Sequence, residues 1–233
     1  MSSSSIGFQG SLPPIEPGQP HVPCVLLVDI SGSMSGAPLN ELKKGLHIFG
    51  ETIKEDDVAI RRADVCVFAF NSIVNLVIPF MPAKEFYVPN LDTSGVTAMN
   101  QAIICGLDAL AARRSEYRAH GIPSYKPWLF LLTDGLATDD EYEYEAKRRL
   151  NEMFDEKKLY FFPMGIGRSV DYNKLGSYCG ERGYYMKASK ENFKDAFRWL
   201  SSSLSAVSHS TPGEVVNLPN TSNDIQFIQL PSS

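Results

Sequence analysis

The run from Val22 to Ile30, V-P-C-V-L-L-V-D-I, constrains the fold of this chain more than any other stretch. It is almost continuously apolar and contains several valines, which is typical of a strand covered on both faces of its sheet. A helix is predicted directly after it, because apolar residues there recur at steps of three and four. They are Leu39, Leu42, Leu46, Phe49 and Ile53.

The alternation of strand and helix continues to about residue 208. The runs A-D-V-C-V-F-A-F and I-V-N-L-V-I-P-F are separated only by Asn71 and Ser72, which predicts a hairpin and one antiparallel strand. A capping-box pattern, T-x-x-E, at Thr138 and Glu141 predicts a helix start. We therefore predict an α/β fold with a doubly wound, mostly parallel six-stranded sheet, one antiparallel edge strand and helices on both faces.

Length and composition favour one globular domain with tails. The chain has 233 residues, of which 43% are hydrophobic. Residues 1–20 are rich in Ser, Gly and Pro and are predicted to form a flexible leader. Residues 21–208 carry the α/β pattern. Residues 209–233 are rich in turn-forming residues but keep some apolar side chains, so we expect a C-terminal tail that can dock on the domain.

Charge and cysteine content exclude several classes of protein. The net charge is −5 and the basic residues are scattered, so no nucleic-acid partner is expected. No apolar run reaches the length of a membrane span, and the N-terminus lacks the pattern of a secretory signal. The four cysteines form no C-x-x-C pair, which indicates reduced thiols and a cytoplasmic protein without a zinc or redox motif.

Polar side chains follow the predicted strands at the points where ligands bind to parallel sheets. D-I-S-G-S comes after the first strand, T-S-G-V-T precedes the second long helix, and T-D-G ends the strand at residues 128–133. Two carboxylates and three hydroxyls are thus expected to converge. They belong to Asp29, Ser31, Ser33, Thr97 and Asp134. Such hard oxygen donors suit Mg²⁺, Mn²⁺ or Ca²⁺ and do not suit zinc or copper.

Other sites fit the sequence less well. A nucleophile elbow needs G-x-S-x-G, but G-S-M-S-G has Met34 at the nucleophile position. The four histidines do not follow strands and are predicted to lie on the surface or in the tail; they are His21, His47, His120 and His209. Phosphate-loop and dinucleotide-binding patterns are absent. Serines that only cap the next helix remain an alternative, although capping does not explain Thr97 and Asp134.

These residues resemble the metal-ion-dependent adhesion site of a von Willebrand factor A (vWA) domain, which has D-x-S-x-S, a later Thr and a later Asp. The resemblance covers about residues 23–208 and implies the fold predicted above. It also implies that Ser31 and Ser33 bind the metal directly and that Thr97 does so in the binding-competent state. Asp29 and Asp134 would act largely through coordinated waters. An Asp or Glu of a protein partner would complete the coordination.

Three longer stretches resemble bacterial TerY-type proteins of tellurite-resistance and stress-response systems. They are S-G-S-M-S-G-A-P-L, K-P-W-L-F-L-L-T-D-G-x-x-T-D and F-x-x-x-F-R-W-L-S-S-S-L-S. This resemblance implies a non-enzymatic interaction module, with Mg²⁺ as the expected cation and a kinase or phosphatase of the same system as the expected partner. A Mg²⁺-dependent phosphohydrolase and a metal-free scaffold are the alternatives. In S-G-V-T-A the chain has Val96 where the family often has G-G-T.

Overall fold

The computed structural model describes residues 18–167, 170–180, 184–189, 194–219 and, as backbone alone, 225–229. Residues 1–17, most of the predicted leader, lie outside the described residues. The described strands are β1 (Val22–Asp29), β2 (Ala63–Phe70), β3 (Val74–Pro82), β4 (Trp128–Thr133), β5 (Tyr160–Ile166), β6 (Tyr184–Ala188) and β7 (Ile225–Gln229). The described helices are α1 (Ala37–Lys54), α2 (Ala59–Arg62), α3 (Met99–Ala119), α4 (Glu143–Asp155), α5 (Tyr172–Gly176) and α6 (Lys194–Ser208).

The strands form one sheet in the order β3-β2-β1-β4-β5-β6-β7. The central strands β2, β1, β4, β5 and β6 are parallel, and β3 pairs antiparallel with β2 through the predicted hairpin. The predicted mostly parallel α/β sheet is thereby confirmed. The tail adds a seventh strand, because β7 pairs antiparallel with β6. Strand β7 has only five residues, I-Q-F-I-Q, and follows a turn-rich stretch, so the strand pattern in the sequence is weak there.

Strand β1 is buried along its whole length, as its apolar sequence requires. Its alternate residues pack into two separate cores. Leu26 and Val28 face α1 and α6, whereas Val25 and Leu27 face α3. Cys24 and Cys66 lie in neighbouring strands, and all four cysteines are free. The two helical layers hold β1 and its neighbours firmly, so the residues at the ends of these strands are well positioned.

Two local predictions are wrong. Thr138 does not cap α4, which begins at Glu143 after a 3-10 turn, because its hydroxyl pairs with the backbone of Thr97 instead. His21 is not at the surface, since only 1% of it is exposed. Its Nδ1 lies 3.3 Å from Asp64 Oδ2, in a buried group of polar side chains that also contains Arg113. This group lies at the amino ends of the strands, opposite to the predicted site.

No helix among the described residues has both the length and the apolar character that a membrane crossing requires.

The seam between α1 and α6 depends on a glycine. A Cβ built at Gly45 would lie 2.2 Å from Phe197 Cδ2. We predict that Gly45→Ala lowers the free energy of unfolding by about 1–3 kcal/mol, because overpacking outweighs the better helix propensity of alanine. Urea denaturation measures the effect, and adding Phe197→Leu should recover part of the loss. A Gly45→Ala protein as stable as the wild type would contradict this packing.

Candidate metal centre

The five predicted site residues come from three loops at the carboxyl end of the sheet. Asp29 is the last residue of β1, and Asp134 directly follows β4. These strands are parallel neighbours with Val28 opposite Leu132, so the two carboxylates emerge side by side. Thr97 precedes α3 by two residues. The structure therefore brings the D-x-S-x-S, Thr and Asp segments to one edge, as the sequence predicts.

Asp29 is fixed by two hydrogen bonds. Its Oδ1 accepts a bond of 2.8 Å from the backbone N–H of Ser31, and its Oδ2 accepts one of 2.6 Å from Thr133 Oγ1. The first bond folds the chain back immediately after β1. The second links β1 to β4. Asp29 is fully buried, so these bonds determine which way its carboxylate points.

The two serines connect the first loop to Asp134. Ser33 Oγ donates a hydrogen bond of 2.6 Å to Asp134 Oδ1, and Ser31 Oγ lies 3.1 Å from Ser33 Oγ. Two hydroxyls and a carboxylate from segments about a hundred residues apart are therefore in direct contact. A serine that only capped the next helix would not need this arrangement. The N-cap of α1 is Gly36, and no side chain caps that helix.

Thr97 Oγ1 and Ser33 Oγ both lie close to Gly135. A Cβ built at Gly135 would be 3.7 Å from Thr97 Oγ1 and 3.9 Å from Ser33 Oγ. The loop before α3 is anchored by the next segment along the edge. Thr138 Oγ1 accepts a hydrogen bond of 3.0 Å from Thr97 N and donates one of 3.2 Å to Thr97 O. The Asp139 carboxylate accepts from the first turn of α3, with 2.8 Å between Oδ2 and Gln101 N.

The electrostatics of the site favour a bound cation. Burial raises the pKa of the Asp29 carboxyl above its ordinary value; hydrogen bonds from Ser31 and Thr133 oppose that rise, and the negative charge of Asp134 adds to it. Both carboxylates are fully buried. Two buried carboxylates that repel each other are stabilised by a positive charge between them.

The three segments that carry the site residues contain no positive side chain. The segments 29–36, 90–98 and 134–140 contain no Lys, Arg or His, but five Asp residues: Asp29, Asp92, Asp134, Asp139 and Asp140. Among the described residues, no group of three or more His, Cys, Asp or Glu could hold a metal ion by itself. The donors present are carboxylates and hydroxyls, which fit a hard divalent cation that keeps several waters.

Sequence reasoning missed three residues that support the site. Thr133 holds Asp29, while Thr138 and Asp139 hold the loop of Thr97 and the start of α3. A threonine at the end of the buried strand W-L-F-L-L-T was the available signal for the first. Thr138 and Asp139 could not be assigned, because their partners lie about forty residues earlier in the chain.

The model of the von Willebrand factor type A domain matches residues 24–199. Among curated proteins, inter-alpha-trypsin inhibitor heavy chain H3 of Mus musculus is 27% identical over 164 residues, or 68% of this chain and 18% of that protein. A von Willebrand factor A domain-containing protein of Dictyostelium discoideum is 25% identical over 189 residues, or 78% of this chain and 19% of that protein. The chain thus spans about a fifth of the length of these relatives.

Solved structures show the same fold. A von Willebrand factor type A protein from Catenulispora acidiphila is 18% identical, with a TM-score of 0.61 over 80% of this chain and 43% of that chain. The vWF domain of the type V pili tip protein Mfa5 from Porphyromonas gingivalis is 10% identical, with a TM-score of 0.61 over 84% of this chain and 98% of that chain.

The bond from Thr133 to Asp29 should be measurable without metal. We predict that Thr133→Val lowers the free energy of unfolding in EDTA by about 1–3 kcal/mol, because a buried carboxylate loses a hydrogen bond while the side-chain shape is kept. Urea denaturation is the measurement. The matched control is Thr211→Val at an exposed position. Equal stability of the two variants would show that Thr133 does not hold Asp29.

Proposed function

This chain belongs to the von Willebrand factor type A family, a family of protein-interaction modules, and we propose that it docks an acidic residue of a partner protein through a divalent cation. Mg²⁺ is the expected cation, with Mn²⁺ or Ca²⁺ as substitutes. In this proposal Ser31, Ser33 and Thr97 supply hydroxyl ligands. Asp29 and Asp134 orient those hydroxyls and the waters around the ion.

One observation carries the proposal: oxygen donors converge where the three site segments, 29–36, 90–98 and 134–140, hold five Asp residues and no basic residue. An acidic partner would be repelled from such an edge. A divalent cation offsets the charge of the two nearest carboxylates, Asp29 and Asp134, and gives the partner carboxylate a direct ligand position. Because hydroxyls rather than charged groups would contact the ion, the ion stays electron-poor and favours an outside anion.

The serine loop does not have the pattern of a nucleophile elbow. Met34 occupies the position that the nucleophile would need, and the three site segments contain no His, so the Asp carboxylates are the bases present there. His21, the buried histidine, lies beside Asp64 at the other end of the strands. Because the chain belongs to a family of protein-interaction modules, we infer a binding function rather than an enzymatic one.

The biological setting is proposed from the three motif resemblances alone. They support a bacterial tellurite or stress-response complex, or a phosphorylation-signalling complex, in the cytoplasm. The expected partner is a kinase or phosphatase of that system, which offers an Asp or Glu to the metal. No nucleic acid or membrane takes part in this proposal.

A pair of serines in the same loop tests the metal bridge. Both serines are exposed, but Ser33 Oγ donates a hydrogen bond to Asp134, whereas the Ser35 side chain makes no hydrogen bond to the five site residues. We predict that Ser33→Ala weakens Mg²⁺ binding at least about tenfold, which is the loss of roughly 1.4 kcal/mol, and that Ser35→Ala does not. Calorimetric titration with Mg²⁺ measures this.

The same variants and Asp29→Ala should then be used to capture partners in Mg²⁺ and in EDTA. The proposal predicts recovery only with Mg²⁺, and only for the wild type and Ser35→Ala. Equal recovery under all conditions would leave a metal-free scaffold as the explanation. Steady hydrolysis of p-nitrophenyl phosphate that is lost in Ser31→Ala would instead support the phosphohydrolase.

A further inference from the structure

Three large apolar side chains are exposed around the candidate metal centre. Ile73 is 60% exposed, Val96 is 54% exposed and Leu136 is 50% exposed. Each comes from a different loop at the carboxyl end of the sheet, and none belongs to either hydrophobic core. We call these three residues the apolar collar.

Hydrogen bonds hold two of the collar loops together. Val96 directly precedes Thr97, and its backbone N–H donates a bond of 3.1 Å to Ser72 Oγ. Ala98 N–H donates a bond of 2.7 Å to Asn71 O. The turn that carries Ile73 is therefore attached to the loop that carries Thr97, on both sides of that threonine.

The third collar residue, Leu136, is on the loop that follows β4. Leu136 follows Gly135, and a Cβ on that glycine would lie within 4 Å of both Thr97 Oγ1 and Ser33 Oγ. The main chain just before Leu136 thus borders the hydroxyl donors directly. Ile73 and Val96 lie on the side of the Thr97 loop, and Leu136 lies on the side of Asp134.

The collar residues belong to neither hydrophobic core, and at least half of each side chain is exposed. Exposed apolar side chains on a rigid edge gain free energy only when another molecule covers them. Val96 directly precedes Thr97 but is not one of the five proposed ligands, so its apolar side chain is not needed to hold the metal. The collar loops carry no basic residue that could attract further acids on a partner.

We propose that the apolar collar selects a partner segment in which a single acidic residue lies between large apolar residues. The acid would meet the cation, and its neighbours would cover Ile73, Val96 and Leu136. This inference rests on the proposed metal-dependent docking and specifies the partner chemistry. A segment rich in acids would gain nothing from the collar and would face the surrounding aspartates.

Two synthetic peptides test the selection directly. Acetyl-Gly-Leu-Asp-Leu-Gly-amide and acetyl-Gly-Ser-Asp-Ser-Gly-amide have the same charge and differ only in the flanking side chains. In Mg²⁺, we expect the leucine peptide to bind at least about tenfold more tightly, because the flanking groups bury apolar area. Titration followed by NMR of the ¹⁵N-labelled protein measures both dissociation constants. EDTA should abolish the binding of both peptides.

Matched valine substitutions locate the effect. Val96→Thr keeps the branched shape and should remove most of the preference for the leucine peptide while leaving the Mg²⁺ affinity unchanged. Val215→Thr, at a 95% exposed position in the segment after α6, should change neither. Ile73→Thr is a second collar variant and should also reduce the preference for the leucine peptide.

The outcomes separate this inference from the function on which it rests. Equal Mg²⁺-dependent binding of both peptides would overturn the collar and keep the metal bridge. If the protein still prefers the leucine peptide in EDTA, the peptide does not bind through the metal, and the metal bridge is overturned. A preference that Val96→Thr and Ile73→Thr both leave intact would show that the peptide docks elsewhere, and would overturn the collar.

Discussion

The candidate site depends on two buried carboxylates that the fold holds side by side. Asp29 and Asp134 emerge from neighbouring parallel strands; burial raises the pKa of Asp29, and the negative charge of Asp134 adds to that rise. Hydrogen bonds from Ser31, Ser33 and Thr133 hold the pair in this unfavourable proximity. A bound cation would stabilise two carboxylates held so close together, and the three neighbouring hydroxyls provide oxygen donors for it.

Packing and hydrogen bonds of the fold hold the two carboxylates in this arrangement. Strand β1 is buried throughout, with α1 and α6 on one face and α3 on the other, so its last residue cannot move away from β4. The loop of Thr97 is fixed separately by Thr138, and Asp139 accepts hydrogen bonds from the first turn of α3. Rigid strands and cross-linked loops together keep the donors in position before any ligand arrives.

Much of this could be predicted from single stretches of sequence. Three stretches could be interpreted without knowing the rest of the fold: the apolar run before Asp29, the hairpin around Asn71 and the T-D-G at the end of β4. Together they predicted that the site lies at the carboxyl end of the sheet. The failures concern partners that are distant in the chain. Thr138 looked like a helix cap because its partner, Thr97, is 41 residues away, and His21 looked exposed because Asp64 could not be seen beside it. Strand β7 gave a weak signal because it is short and at an edge.

The most direct test of the metal bridge is anomalous diffraction from crystals grown with Mn²⁺, which takes the same oxygen ligands as Mg²⁺. Our account predicts one strong peak within coordination distance of the hydroxyl oxygens of Ser31, Ser33 and Thr97. Saturating Mn²⁺ that gives no peak at this edge, or a peak only elsewhere on the protein, would contradict it.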